Sequence, residues 1–250
     1  MVSKVNGIVI KETDVGETGK RIMIITREHG KMLLSVRGAK NAKSKTMAGT
    51  QLFSYSEFSL FEGKGFYSAT QADVIESFYG IRSDIDRLAY GAYILELTER
   101  TAFEDLEDIG MFELLLRTLL VLSKDSMDSI NPQMIAAVFI IRLLKESGFI
   151  GELYGCQKCG NEFLNEAYLS NDGFELICCD CAKGNETYVG SGTLKAVNYI
   201  IGCRMPAIYK FNVSDEVLKQ LWIFADSLRR EYLGDGYKTL DYIRNMKFSY

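Results

Sequence analysis

The chain has 250 residues, with 29 Lys and Arg against 33 Asp and Glu, a formal net charge of −4. Hydrophobic residues at 47% and charged residues at 25% exclude wholesale disorder and a fibrous protein. The single histidine, His29, argues against triad chemistry, His-metal catalysis and a pH switch.

The first eighty residues read as β-structure. Val5–Lys11, Ile22–Thr26 and Met32–Val36 are short Ile- and Val-rich runs broken by Gly16, Gly19 and Gly30. Leu52–Phe61 follows, and its aromatic phase switches near Ser56–Glu57, which predicts a β-bulge. Gly63-Lys64-Gly65 predicts a hairpin turn and Phe66–Val74 the return strand. Five short strands in this length suit a small closed barrel of the OB-fold type.

Within this part, residues 20–45 carry Lys20, Arg21, Arg27, Lys31, Arg37, Lys40, Lys43 and Lys45 against Glu28 alone, net +7. The densest piece, Arg37 to Lys45, has no hydrophobic period and is expected in a loop leaving a strand. Beside a barrel face it suits phosphate tracking, although a solvated surface loop has the same composition. Phe53, Tyr55, Phe58, Phe61, Phe66 and Tyr67 can offer stacking faces, but alternation assigns most of them to the barrel core.

Helices follow. Asp84–Thr101 and Met111–Leu122 carry apolar residues at helical spacing. Asn131-Pro132 is an N-cap with proline at the first helical position, and that helix is expected to stop at Gly148. Residues 193–202 and 215–233 are also predicted helical, the second capped by Ser214 and ended by Gly234. Acidic pairs between the first two helices, Glu104-Asp105 and Glu107-Asp108, read as solvation. The longest apolar run, Met134 to Ile141, is far short of a membrane span. No signal-peptide core fits the first twenty residues, so a cytosolic protein with reduced thiols is expected.

Between these helices lies a Cys-rich insertion, 154–190. Cys156-x2-Cys159 and Cys178-x2-Cys181 have the spacing of two metal-binding knuckles. Four thiolates suit tetrahedral Zn²⁺ in a closed, structural site. Gly160 and a hairpin turn at Asn171-Asp172-Gly173 complete the picture of a zinc ribbon. Two disulfides, a redox dithiol and an iron–sulfur cluster remain as alternatives. Cys179 reads as a bystander and Cys203 as a small core residue.

The fold expected is therefore α+β: an OB-fold barrel over 1–80, a helical domain in two parts, 81–153 and 191–250, and the ribbon at 154–190. By charge, residues 1–80 are net +3, 81–155 net −6 and 156–250 net −1. Acidity of the whole thus leaves room for DNA on one basic face, with the acidic body turned away from the phosphates. No phosphate-binding loop, dinucleotide fingerprint or nucleophile elbow occurs, and no catalytic constellation is legible.

The order of these features resembles the RecO family of bacterial recombination mediators. Gly7-Ile-Val-Ile, Gly16-Glu17 and Ile24-Ile-Thr26 look like its opening strands, and Arg37-Gly38-Ala39-Lys40 with Lys43-Ser44-Lys45 like its basic signature. Ala92-Tyr93-Ile94-Leu95-Glu96-Leu97 and Phe112-Glu113-Leu114-Leu115 resemble its helical middle. Arg142-Leu143-Leu144 and Gly148-Phe149 then lead into Cys156-x2-Cys159-Gly160. Gly236-Tyr237-Lys238-Thr239-Leu240 looks like its closing helix.

The resemblance implies a non-enzymatic DNA-repair protein that binds single- and double-stranded DNA and anneals complementary strands. It further implies action with RecR and single-strand-binding protein to help load RecA, at the nucleoid in the cytoplasm. It carries DNA contact onto Arg37, Lys40, Lys43 and Lys45, and also onto Lys20, Arg21 and Lys31. It carries one structural zinc onto Cys156, Cys159, Cys178 and Cys181. The competing readings are a zinc-containing scaffold whose barrel binds protein, with salt-insensitive contacts, and a thiol oxidoreductase, which would be metal-free.

Overall fold

The computed structural model describes residues 2–41, 44, 46–63, 65–124, 130–151, 155–162, 166–170 and 175–247. Lys43, Lys45, Lys64 and the expected turn Asn171-Asp172-Gly173 lie outside the described residues. The chain divides into two compact units, Met1–Ser129 with Tyr237–Tyr250, and Ile130–Gly236.

The first unit begins with five strands: β1 (Val2–Val15), β2 (Gly19–Thr26), β3 (Gly30–Val36), β4 (Tyr55–Gly63) and β5 (Phe66–Glu76). They close into a barrel in the order β1-β2-β3-β5-β4, with only β3 and β5 parallel. This is the expected OB-like barrel. Alternation sends Ile22, Ile24, Leu34, Phe58 and Leu60 inward, each at most 2% exposed. Burying such a side chain contributes roughly 1.5–3 kcal/mol, which fixes strand register, since a one-residue slip would turn every one of them outward.

The aromatic phase switch has a different origin from the one predicted. β4 starts at Tyr55, not Leu52, and Phe53 before it is buried in the left-handed region, φ +70°. The pairing of β4 with β5 shifts register at Tyr55/Ser56, near the expected bulge, and again at Ser59/Leu60. Arg37–Lys40 forms a turn after β3, as expected, but it is anchored. Ala39 is fully buried in the barrel core, and the Lys40 N–H donates to the Thr18 carbonyl at 3.1 Å.

Three helices follow in this unit: α1 (Tyr79–Arg82), α2 (Ile85–Thr101) and α3 (Ile109–Leu122). Asp84 caps α2, accepting from the Arg87 N–H at 2.8 Å. Asp108, read from sequence as solvation, instead caps α3 by accepting from the Met111 N–H at 2.8 Å. Such a cap contributes about 1 kcal/mol. The loop between α2 and α3 lies on the β2–β3 turn. Gly30, φ +57°, permits this, since a Cβ there would stand 2.7 Å from the Phe103 carbonyl oxygen and closer still to that of Leu106.

The second unit holds α4 (Pro132–Glu146), β6 (Glu166–Leu169), β7 (Leu176–Ile177), β8 (Thr187–Gly190), α5 (Ser191–Gly202) and α6 (Asp215–Leu233). Asn131 caps α4 and Gly148 follows it at φ +75°. Met134 to Leu144 are all buried, and α5 and α6 pack against this helix. No helix among the described residues is long and apolar enough to cross a membrane. Arg142 and Lys145 of α4 donate to carbonyls at the end of α5, among them Ile201. Arg229 of α6, without solvent exposure, is held by Asp226 at 2.8 Å. The ribbon has three strands in the order β7-β6-β8 rather than a lone hairpin.

The chain returns to the first unit with α7 (Lys238–Lys247), which packs on α2.

Candidate nucleic-acid interface and metal centre

Register decides which basic residues meet. Arg21 is opposite Ser35, Ser35 opposite Ser68, and Ser68 opposite Phe61, one row across the outer wall of the barrel. At this end of β3 lies a groove of about 460 Å³, walled by the β1–β2 turn and the ends of β2, β3 and β5. Lys20, Arg21 and Arg37 line it, with Ser35, Ser68 and Phe66. In OB-folds the β2–β3 face and the loops β1–β2 and β4–β5 form the ligand surface, and this groove coincides with it.

The cations there differ in freedom. Lys20 pairs with Glu12 at 2.5 Å and Lys40 with Asp14 at 2.8 Å. Surface pairs of this kind are worth at most about 1 kcal/mol, so both ammonium groups can be released to a phosphate. Arg21 and Arg37 are exposed, and neither guanidinium has an ion pair among the described residues.

Lys31 lies elsewhere. It is at the opposite end of β3, six residues from Arg37, about 20 Å at the rise of a strand. Its Nζ donates to the Glu99 carbonyl at 3.1 Å, and its backbone N–H donates to the Phe103 carbonyl at 2.9 Å. Arg27 stands near Glu113, and Lys11 pairs with Glu99. The linear basic run is thus divided: one end of the barrel gathers Lys20, Arg21, Arg37 and Lys40, while at the other Glu99 of α2 and Glu113 of α3 meet Lys11 and Arg27. Lys43 and Lys45 lie outside the described residues.

The four cysteines of the two knuckles come together. Their Sγ atoms all lie within 4.8 Å of one another, with Cys159 and Cys178 3.7 Å apart. Tetrahedral Zn–S bonds of about 2.3 Å place sulfurs about 3.8 Å apart, whereas a disulfide needs about 2.0 Å. No disulfide joins any of these four. Two tight turns hold them. Gly160, φ +77°, donates its N–H to the Cys156 carbonyl at 2.8 Å, and the Cys181 N–H donates to the Cys178 carbonyl at 3.1 Å. Cys156 and Cys178 pack with Ile177 in a small core of their own.

Electrostatics at this cluster favours a cation. Burial works against the Cys156 thiolate, but the N–H groups of Cys178, Cys159 and Lys158 outweigh it and draw this thiol down to about 6. Hydrogen bonds with Cys159, Cys178 and Cys156 push Cys181 up to about 12. Four sulfurs this close cannot all ionise unless a positive ion stands between them, so the group can hold a metal ion. Cys179 is exposed and outside the cluster. Cys203, expected in the core, is only half-buried just after α5, where its carbonyl accepts from Arg142 at 2.9 Å.

Two family models match the chain. The family model described as Recombination protein O N terminal matches residues 1–78, and Recombination protein O C terminal matches 82–241. The chain is 36% identical over 245 residues to the DNA repair protein RecO of Acetivibrio thermocellus, covering 97% of this chain and 96% of that one. It is 34% identical to the protein of the same name from Alkaliphilus metalliredigens, covering 88% and 92%. With that of Clostridium novyi it shares 25% over 248 residues.

Proposed function

This chain belongs to the RecO family of DNA repair proteins, and from that membership we propose that it is a non-enzymatic recombination mediator. It binds single- and double-stranded DNA at the barrel groove and anneals complementary strands. With RecR it helps load RecA onto DNA covered by single-strand-binding protein. It acts at the nucleoid in the cytoplasm.

The observation that carries the DNA-binding reading is the grouping of Lys20, Arg21, Arg37 and Lys40 at one rim, two of them without a carboxylate partner among the described residues. Phosphate neutralisation by such residues supplies affinity without reading sequence. Lys43 and Lys45 follow the same turn in the chain and extend the basic surface in this reading. Lys31, held by α2, stands outside the DNA-binding surface in this reading.

The ribbon is the second element. We assign one structural Zn²⁺ to Cys156, Cys159, Cys178 and Cys181. Four thiolates leave no open position, so the ion stabilises this fold and activates no water. A redox dithiol is disfavoured by the second pair of sulfurs at ligand distance.

A salt series tests the proposal. If four to seven phosphates are engaged, log K for single strands falls with log[salt] at a slope of about −3 to −5. Faster annealing of complementary strands covered by single-strand-binding protein, in the presence of the chain, is the accompanying result. A slope near zero would favour the alternative, a barrel that binds protein through apolar contacts.

A further inference from the structure

We propose that Phe66 is a stacking platform for one unpaired base, and that it gives the groove a preference for single strands over duplex. This rests on the DNA-binding reading, and supplies what the cations cannot: phosphates are present on both forms of DNA.

Phe66 opens β5 and is 52% exposed, whereas its neighbour Tyr67 packs on the barrel core. Strand alternation puts Phe66 on the same outer face as Ser68, two residues on, and so in line with Ser35 and Arg21. It lines the groove together with Arg21 and Arg37. Phe61, opposite Ser68 and 48% exposed, is its diagonal neighbour across the strand pair and extends the apolar strip.

The ring is also held. Gly63 is opposite Phe66, and a Cβ at Gly63 would stand 2.9 Å from Cε2 of the ring and closer to Cζ. The tip of the ring therefore rests on bare backbone, which fixes its position without covering it by another side chain. An aromatic face fixed on a strand, beside two exposed guanidinium groups, is the combination that single-strand sites use: a base stacks while its flanking phosphates are neutralised. A paired base is already stacked inside its helix and cannot reach such a wall.

The test measures binding of a labelled oligothymidylate, longer than the roughly 4–16 nucleotides one OB-fold covers, and of a duplex of equal length. Fluorescence anisotropy over a salt series compares the wild-type chain with Phe66→Leu and Phe66→Trp. Leu keeps an apolar cover over Gly63 but has no π face, while Trp keeps one. Base stacking of the usual strength predicts a loss of about 5- to 140-fold for F66L on the single strand. Duplex affinity and the salt slope should be unchanged, and F66W should bind as the wild type does. Should F66L fail to fold, fluorescence of F66W against the wild-type background of Trp222 replaces it: quenching by the oligothymidylate and not by duplex is expected.

Unchanged single-strand affinity in F66L, equal losses on both DNAs, or no quenching in F66W would overturn the role of Phe66 while leaving DNA binding intact. A wild-type chain that binds neither DNA would overturn the DNA-binding reading itself, and this proposal with it.

Discussion

Glu96 on α2 and Thr239 at the start of α7, 143 residues apart, are joined by two hydrogen bonds. The Thr239 hydroxyl donates to Glu96 Oε2 at 2.6 Å and its backbone N–H donates to the same oxygen at 3.1 Å. The Lys238 N–H reaches Oε1 at 3.4 Å. A carboxylate from one helix thus caps another, where the free N–H groups and the helix dipole favour negative charge. Around it Tyr237 meets Tyr93 edge-on with ring centroids 5.8 Å apart, and Arg100 lies 3.9 Å over the Tyr237 ring.

The pairing predicts an acid-sensitive dock. Burial pushes the Glu96 carboxyl up, but the Thr239 hydroxyl and N–H and the Arg100 guanidinium outweigh it, and the group is held below the usual 4.5. A depressed carboxyl contributes stability above its unfolded pKa and loses it as pH falls through the lower, folded value. Glu96→Gln should therefore cost about 1–2 kcal/mol at pH 7 and show a shallower loss of stability below pH 4.5 than the wild type. Urea denaturation at a series of pH values checks both.

Gly30→Ala should be more damaging than its exposed turn suggests. The substitution adds strain at φ +57° and drives a methyl group into two carbonyls of the α2–α3 loop. A loss of about 2–4 kcal/mol is expected, read from thermal melts. A change under about 0.5 kcal/mol, the usual size for an unremarkable surface substitution, would mean that the loop is not seated on this turn.

The metal site gives a local prediction. If the cluster holds the zinc assigned to it, Cys159→Ser should lower the zinc content from one per chain and loosen residues 154–190 before anything else, because Cys156 and Cys178 pack with Ile177 in a small core of their own. Limited proteolysis should cut the ribbon of the variant, or of the chelator-treated wild type, while the barrel stays intact. Loss of zinc with unchanged proteolysis would contradict a structural role.

Much of this was readable from sequence because it is local. The barrel strands follow from period-two burial, the cap at Asn131-Pro132 and the stops at Gly148 and Gly234 from backbone chemistry, and the cysteine cluster from two x2 spacings. What was not readable depends on pairing between distant segments. Arg21, Ser35 and Ser68 share a row only once β3 pairs with β2 and β5. Lys31 belongs to the same linear run as Arg37, yet the length of one strand and the carboxyl end of α2 separate them. Phe53 mimics a strand residue, but tertiary burial holds it in a left-handed turn. The blocks Ala92–Leu97 and Gly236–Leu240 are individually uninformative, and Glu96 with Thr239 explains why both are needed.

If DNA is held at the Arg37 end of the barrel and not along the whole basic run, the cations of that end alone should set the salt dependence of binding. The deciding measurement is single-strand affinity across a salt series for Arg21→Ala/Arg37→Ala beside Lys31→Ala. Each phosphate no longer neutralised should make the slope shallower by about 0.7. The double variant should bind more weakly with a slope shallower by about 1.4, and Lys31→Ala should match the wild type. Equal slopes in the wild type and the double variant, with the weakening appearing in Lys31→Ala instead, would contradict this placement of the DNA.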